Sequence, residues 1–372
     1  MKVELESGLE RWVAAQILDA DQAARIRQWE SERVPEGRSR WQVVVALVFG
    51  GLMLAAGVLL FVSAHWDELS PVERMTLLVG AVGGLHVAGA LVRERFHALG
   101  TTLHAVGSVA LGGAIALAGQ IFNMEEHWPA AVLMWATGAV LGWFLLRDWP
   151  HAALAGLLIP WWLVGEFTEA ARSSWEGWRV ANCGILLLAI CYLSVRTTAR
   201  ESYAHVALAW LGGIALLPAA IAVSLSQYRY RHEETSTELI WVGWAGALLL
   251  PLAFAWLYRR EGAWINGLAA IWVVALNFAA QERLEALVYA WCAIGAAGMV
   301  MWGVHEARTE RINLGMAGFA LSIACFFFSN VMDKLGRSAS LIVLGTLFLG
   351  GGWYWEKLRR RLVAGVTAGG VA

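Results

Sequence analysis

Residues 42–65 read QVVVALVFGGLMLAAGVLLFVSAH, 24 positions without one Asp, Glu, Lys or Arg. A helix needs about 20 apolar residues to cross the hydrocarbon of a bilayer, and this run is long enough. It is too long for the apolar part of a cleaved signal peptide, and residues 1–40 ahead of it are polar and charged. The reading is a transmembrane helix that inserts and stays. The same criterion predicts further spans at 72–92, 101–122, 129–146, 150–165, 178–196, 203–224, 237–258, 263–280, 285–303, 311–330 and 338–356. The expected fold is all-α, a polytopic membrane bundle of about 12 helices. The segment at 150–165 is short and carries Pro150 and Pro160, so it either crosses, re-enters or fuses with a neighbour.

Composition agrees. The chain is 59% hydrophobic and 15% charged, with a mean hydropathy of +0.56. Soluble domains run near 45–50% apolar and about 25% charged. The net charge of −1 gives nucleic acid nothing to bind electrostatically, so the partners expected are the lipid bilayer and proteins. Cys183, Cys191, Cys292 and Cys325 all fall in apolar runs without a CxxC pair, which argues for packed small side chains rather than zinc or disulfides.

Residues 1–40 stand apart. Leu5, Leu9, Trp12, Val13 and Ile17 share one helical face, and Asp19 precedes Gln22 at capping-box spacing, opening a second short helix lined by Ala23, Ile26 and Trp29. This predicts a cytoplasmic amphipathic helix pair that either caps the first span or docks a membrane or cytoplasmic protein. The bundle then covers 41–358, and 359–372 form a basic tail.

Positive residues stay in the cytoplasm, so their distribution sets orientation. Lys2, Arg11, Arg25, Arg27, Arg33, Arg38 and Arg40 precede the first span, Arg93 and Arg95 follow the second, and Arg147 follows the fourth. The alternate loops WDELSPVER and NMEEHW hold one Arg and several carboxylates. Both termini are therefore expected inside, with EKLRRR closing the last span. Tryptophans near span ends, among them Trp41, Trp66, Trp128, Trp149, Trp161, Trp178 and Trp353, suit the headgroup layer. Gly80 and Gly84 form a GxxxG pair, a pattern that admits close helix packing.

The span middles carry no Asp, Glu, Lys or Arg, which argues against an ion-coupled carrier. His86 and His104 fall where they can meet, with His97 between them, either as a metal or proton site or as a helix-to-helix hydrogen bond. The richest polar grouping lies on the outer side. His65, Trp66 and Asp67 end the first span, and Gln120, Asn123, Glu125 and His127 end the third, with Asn330 and Asp333 contributed by the eleventh. These seven residues of the first and third spans are the candidate ligand-binding set. They can hold a cation or polar headgroups, or serve as solvated caps. No nucleophile elbow, P-loop, HExxH or dinucleotide fingerprint occurs, and no catalytic residue, metal or cofactor is assigned.

ILDADQAARIRQWE, AHWDELSPVER and the stretch Gly119, Gln120, Ile121, Phe122 resemble a bacterial family of predicted membrane proteins, the domain of unknown function 2157. Trp66, Asp67 and Arg74 match the family's pattern after the first span, with His65 where its Asn usually stands. RINLGMAGFAL and GRSASLIVLGTLFLGGGWYWEKLRRRL are similar to the ends of longer members, while FFFSNVMD departs from a basic-aromatic-Asp stretch usual between them. The resemblance implies a bacterial inner-membrane location and no established activity.

Three functions remain open. The first is a non-enzymatic, transporter-like or accessory protein binding a small molecule, lipid or partner at the outer cluster. The second is a membrane enzyme on lipid-linked substrates, using His65, Asp67 or His127 as acid or base. The third is a structural or sensory scaffold acting through the N-terminal helix pair.

Overall fold

A computed structural model describes residues 69–122, 127–196, 202–225, 235–281 and 285–331, with scattered residues in 12–26, 46–60 and 342–350. Among these every regular element is helical. They are α1 (Pro71–Arg93), α2 (His97–Ile121), α3 (Trp128–Leu146), α4 (Trp149–Ala170), α5 (Trp175–Ser194), α6 (Tyr203–Ser224), α7 (Thr237–Arg259), a 3-10 turn (Arg260–Ala263), α8 (Trp264–Gln281), α9 (Glu285–His305) and α10 (Thr309–Phe326), which closes on a π turn (Phe327–Val331). Eight segments among the described residues are long and apolar enough to cross a membrane. The first and last expected spans lie outside the described residues apart from isolated positions, as does most of the N-terminal helix pair. Asp21–Ile26 is helical, and the Asp19 N–H donates to Gln22 Oε1 at 3.0 Å, one half of the expected capping box.

Caps explain where the helices start. Ser70 and Glu73 form a reciprocal capping box on α1. Asp148, Ser174, Ser202 and Ser236 each accept a backbone N–H at the start of α4, α5, α6 and α7. Prolines open three helices: Pro71, Pro129 and Pro150 occupy first-turn positions of α1, α3 and α4, where the missing N–H costs nothing. The doubtful segment is one continuous helix, Trp149–Ala170, with Pro160 inside it.

The chain forms two compact units, residues 1–107 and 108–372. In the first, α1 approaches the start of α2 closely: a Cβ on Gly100 would sit 2.8 Å from Arg93 Cα and 2.9 Å from the Gly89 carbonyl. Neither Gly80 nor Gly84 of the GxxxG pair meets a described residue within 4 Å. The close approach between α1 and α2 is made by Gly89, Gly100 and Gly107.

In the second unit each helix reverses its predecessor. Trp135 and Leu111 pack on Gly112 and Gly138, pairing α2 and α3 antiparallel. His151 packs on Gly142, and Trp128 on Gly165, doing the same for α3 and α4. Arg259 at the end of α7 reaches the Ser194 carbonyl at the end of α5, so those two run parallel. Asn266 at the start of α8 meets Cys191 near the end of α5, so α8 runs back. The stretch Thr237–Gln281 is thus a hairpin of two apolar helices folded at Arg260, whose φ of 48° breaks the helix. Alternation gathers Arg147, Arg196, Arg259, Arg260, Arg308 and Arg311 at one end of the unit, where Arg172 and Arg179 occupy the other.

The helix α5 forms the centre, with 67% of its apolar window buried against 11% for α1. Cys183, Leu186, Leu187 and Cys191 pack there against Val273 and Leu276. Lipid is as apolar as leucine, so close fit rather than water exclusion holds such helices together. Gly212 brings α6 close to α5, where a Cβ would lie 2.4 Å from the Ala189 carbonyl. Outward-facing side chains are apolar: Trp210, Ile214, Trp241, Leu249, Ile271 and Met301 are all more than half exposed. Such a surface is stable only in lipid. This is a membrane protein with multiple transmembrane helices.

Candidate functional site

Of the seven expected ligand-binding residues, His65, Trp66, Asp67, Asn123 and Glu125 lie outside the described residues. Gln120 is exposed in the last turn of α2, and His127 is the N-cap of α3. The His127 side chain does not cap its own helix; its Nε2 lies 2.9 Å from Glu166 Oε2 near the end of α4. Glu166 also accepts the Trp162 indole N–H at 3.0 Å, and Glu169, one turn on, accepts the Trp128 indole N–H at 2.6 Å. Gly165 is required for this contact, because a Cβ there would meet the Trp128 ring at 2.5 Å. His127 is thus joined to Glu166, and its neighbour Trp128 to Glu169, two carboxylates absent from the expected set. The signal that could have found them is the spacing Trp162, Glu166, Glu169 on one face of a helix that continues past residue 165. The His127 and Glu166 side chains are 56% and 38% exposed, so their attraction is weakened by water and contributes little to stability.

The second unit also holds a partly open cavity of about 470 Å³ between α5, α6, α8, α9 and α10. Ile190, Leu216, Ala220, Trp272, Met299 and Trp302 give it an apolar wall. The helices meeting there are in register: Gly303 packs on Ile312, Gly315 on Ala296 and Val300, and Tyr289 against Phe326. That register sets Ser224, Tyr289, Cys292, Ser322 and Cys325 at one level of the cavity, at the end remote from the arginines. Cys325 is exposed rather than packed as expected, whereas Cys183 and Cys191 are fully buried.

At the arginine-rich end, the carbonyls that close α5 have no helical partner of their own. Arg259 donates to the Ser194 carbonyl at 3.1 Å, and Arg311 to the Leu193 and Arg196 carbonyls at 2.9 and 3.1 Å. Both guanidinium groups also pair with Glu306, which accepts the Trp302 indole N–H as well. The Arg311 guanidinium stacks 3.9 Å from the Trp302 ring centroid. Burial alone would raise the Glu306 carboxyl, but the hydrogen bonds and charges of Arg259 and Arg311, with the Trp302 indole, hold it down to about 2.

A third polar group ties α2, α3 and α4 within the same unit. Asp148 Oδ1 faces His151 Nδ1 at 2.6 Å, and His151 Nε2 faces Ser108 Oγ at 2.7 Å. The Ser108 carbonyl accepts the Trp135 indole N–H at 2.8 Å. His151 is wholly buried, with Ser108 4% and Asp148 9% exposed. In the first unit, His86 and His104 do meet, Nδ1 to Nδ1 at 3.0 Å, each ring packed on a glycine of the opposite helix, Gly107 and Gly89. One ring must donate and the other accept, which is the helix-to-helix hydrogen bond among the expected alternatives. Among the described residues no three His, Cys, Asp or Glu side chains converge on a metal position.

Residues 10–152 match a family model described as Predicted membrane protein (DUF2157). The DUF2157 match takes in the ILDADQAARIRQWE, AHWDELSPVER and Gly119–Phe122 stretches and ends one residue beyond His151. It stops short of RINLGMAGFAL and the C-terminal segment. No curated protein and no solved structure matches the chain.

Proposed function

We propose that this chain is a multi-pass inner-membrane protein that binds an apolar or amphipathic molecule among its helices and acts in a transporter-like or accessory role. The observation that carries the reading is the 470 Å³ cavity, which falls in the size range of small-molecule sites and has the apolar lining typical of them. The candidate set His65, Trp66, Asp67, Gln120, Asn123, Glu125 and His127 is proposed separately from the cavity, as outer-face residues that engage headgroups or a partner. The N-terminal helix pair is the proposed contact for a membrane or cytoplasmic protein.

Gly298 supplies the test. It lines the cavity, and a Cβ added there meets no described residue within 4 Å. Gly298→Leu fills the space without a collision. A diazirine-bearing alkyl chain is expected to crosslink wild-type protein on the α9 and α10 walls, and Gly298→Leu to lose most of that labelling at unchanged thermal stability. Equal labelling of both proteins, or labelling confined to outward-facing side chains, would show that the cavity holds nothing.

Orientation rests on the arginines, since six of them crowd one end of residues 108–372. That end is proposed to be cytoplasmic, with both termini inside. In a background free of native cysteines, Glu176→Cys should react with an impermeant maleimide added outside intact cells. His305→Cys should react only after the cells are opened. The opposite pattern reverses the topology.

A further inference from the structure

The polar groups of the cavity are confined to one level, and among the described residues none of its lining side chains is charged. A phosphate or carboxylate head would therefore be buried without a counter-charge, which costs several kcal/mol. The described lining therefore favours an uncharged head. The hydrogen-bonding state of the lining narrows it further. Ser224 Oγ donates to the Ala220 carbonyl at 2.8 Å, and Ser322 Oγ donates to the Gly318 carbonyl at 2.8 Å. Each serine has spent its only proton on its own helix and offers lone pairs alone. Cys292 Sγ, 3.4 Å from Ser224 Oγ, can fill one of them and leaves another free. Tyr289, on the facing helix at the same level, brings a phenolic O–H that both donates and accepts.

A complementary head must therefore carry a proton for the serines and a lone pair for the tyrosine, with no charge. A hydroxyl meets all three conditions. Below it the wall is apolar down to Trp302, and the 13 residues from Tyr289 to Trp302 along α9 span about 20 Å, the reach of a long alkyl chain. Trp302 closes that end, its indole N–H already held by Glu306. We infer that the cavity selects an uncharged long-chain lipid alcohol, its hydroxyl between Ser224, Ser322 and Tyr289 and its tail pointing toward Trp302. This inference rests on the proposed ligand-binding function and names its ligand class.

Binding of four probes to the purified full-length protein in lipid nanodiscs tests it: hexadecanol, its methyl ether, hexadecane and hexadecyl phosphate. The alcohol should bind about tenfold more tightly than the ether or the alkane, the ratio expected for the hydrogen bonds that only its proton supplies. The phosphate should bind more weakly than the alcohol. Because both serine protons serve only their own helices, Ser224→Ala with Ser322→Ala should leave the fold intact and erase the alcohol's advantage over the ether. Equal binding of alcohol, ether and alkane would overturn the headgroup assignment while leaving an apolar ligand site. Preference for the phosphate would overturn it as well. Failure of all four to bind would remove the ligand-binding function itself. A benzophenone attached through a maleimide to Cys325 that, with no probe bound, photocrosslinks to residues 338–356 of the same chain would overturn the ligand assignment and give the cavity to that segment.

Discussion

Arg311→Leu is expected to destabilise the protein by about 3–5 kcal/mol, the cost of removing one partner from a buried ion pair. Arg311 is the largest fully buried side chain among the described residues, and its loss is felt in three places. The Leu193 and Arg196 carbonyls lose their donor at the end of α5, where no helical N–H can replace it. Glu306 keeps Arg259 and the Trp302 indole but loses half of the positive charge that compensates its burial. Trp302 loses the cation over its face. Arg311→Lys retains charge but not the planar fork, so it cannot reach Glu306 and both carbonyls at once; an intermediate loss follows. Arg311→Met combined with Glu306→Gln should recover part of the loss, since a removed pair costs less than a broken one. Unfolding in mixed micelles with increasing SDS measures all three. If Arg311→Leu unfolds with the wild type, α5 is held by apolar packing alone.

The same network sets an acid limit. Glu306 titrates near 2 in the folded protein against its ordinary 4.5, so the folded state favours the carboxylate. That stability is complete above pH 4.5 and is lost as the pH falls toward 2, amounting to about 3 kcal/mol for the whole interval. Glu306→Gln should flatten this part of the stability–pH curve while lowering the plateau above it.

Helix positions were readable because lipid makes one demand, an apolar run of sufficient length. The runs at 203–224, 237–258 and 285–303 correspond to α6, α7 and α9 within two residues. The segment at 150–165 was harder, because Glu166 and Glu169 are charged yet helical, and hydropathy falls where the helix continues to Ala170. The functional places were less legible, for a reason of distance along the chain. His127 and Glu166 are 39 residues apart, Ser108 and His151 are 43 apart, and Arg311 and Leu193 are 118 apart. Periodicity assigns residues to faces but does not say which faces meet. Arg311 stands at the first position of the expected 311–330 run, and only the fold shows it turned inward onto α5. The encounter of His86 with His104 was legible, since one short connection joins their two helices.

His151→Ala carries the second large effect, a loss of about 3 kcal/mol, and it also decides between two readings of its neighbours. Removing the ring leaves a void in a closely packed layer and strips the Asp148 carboxylate of its closest partner. Ser108 loses its side-chain partner at the same time. Asp148→Asn should cost less, about 1 kcal/mol, because an amide oxygen can still accept from Nδ1 and from the His151 backbone N–H. In the neutral ring Nδ1 donates to Asp148 and Nε2 accepts from Ser108, the order of donors and acceptors found in serine hydrolases. Burial separates a structural tie from such a site. A hydrolase must present its serine to substrate, and Ser108 is 4% exposed beside an imidazole with no exposure at all. Gly142 tightens the enclosure, since a Cβ there would lie 2.3 Å from the His151 ring. A fluorophosphonate probe should therefore leave Ser108 unmodified, while Ser108→Ala, His151→Ala and Asp148→Asn each lower stability. Labelling of Ser108 that vanishes in His151→Ala would reverse the conclusion and make this group the active site of a membrane enzyme.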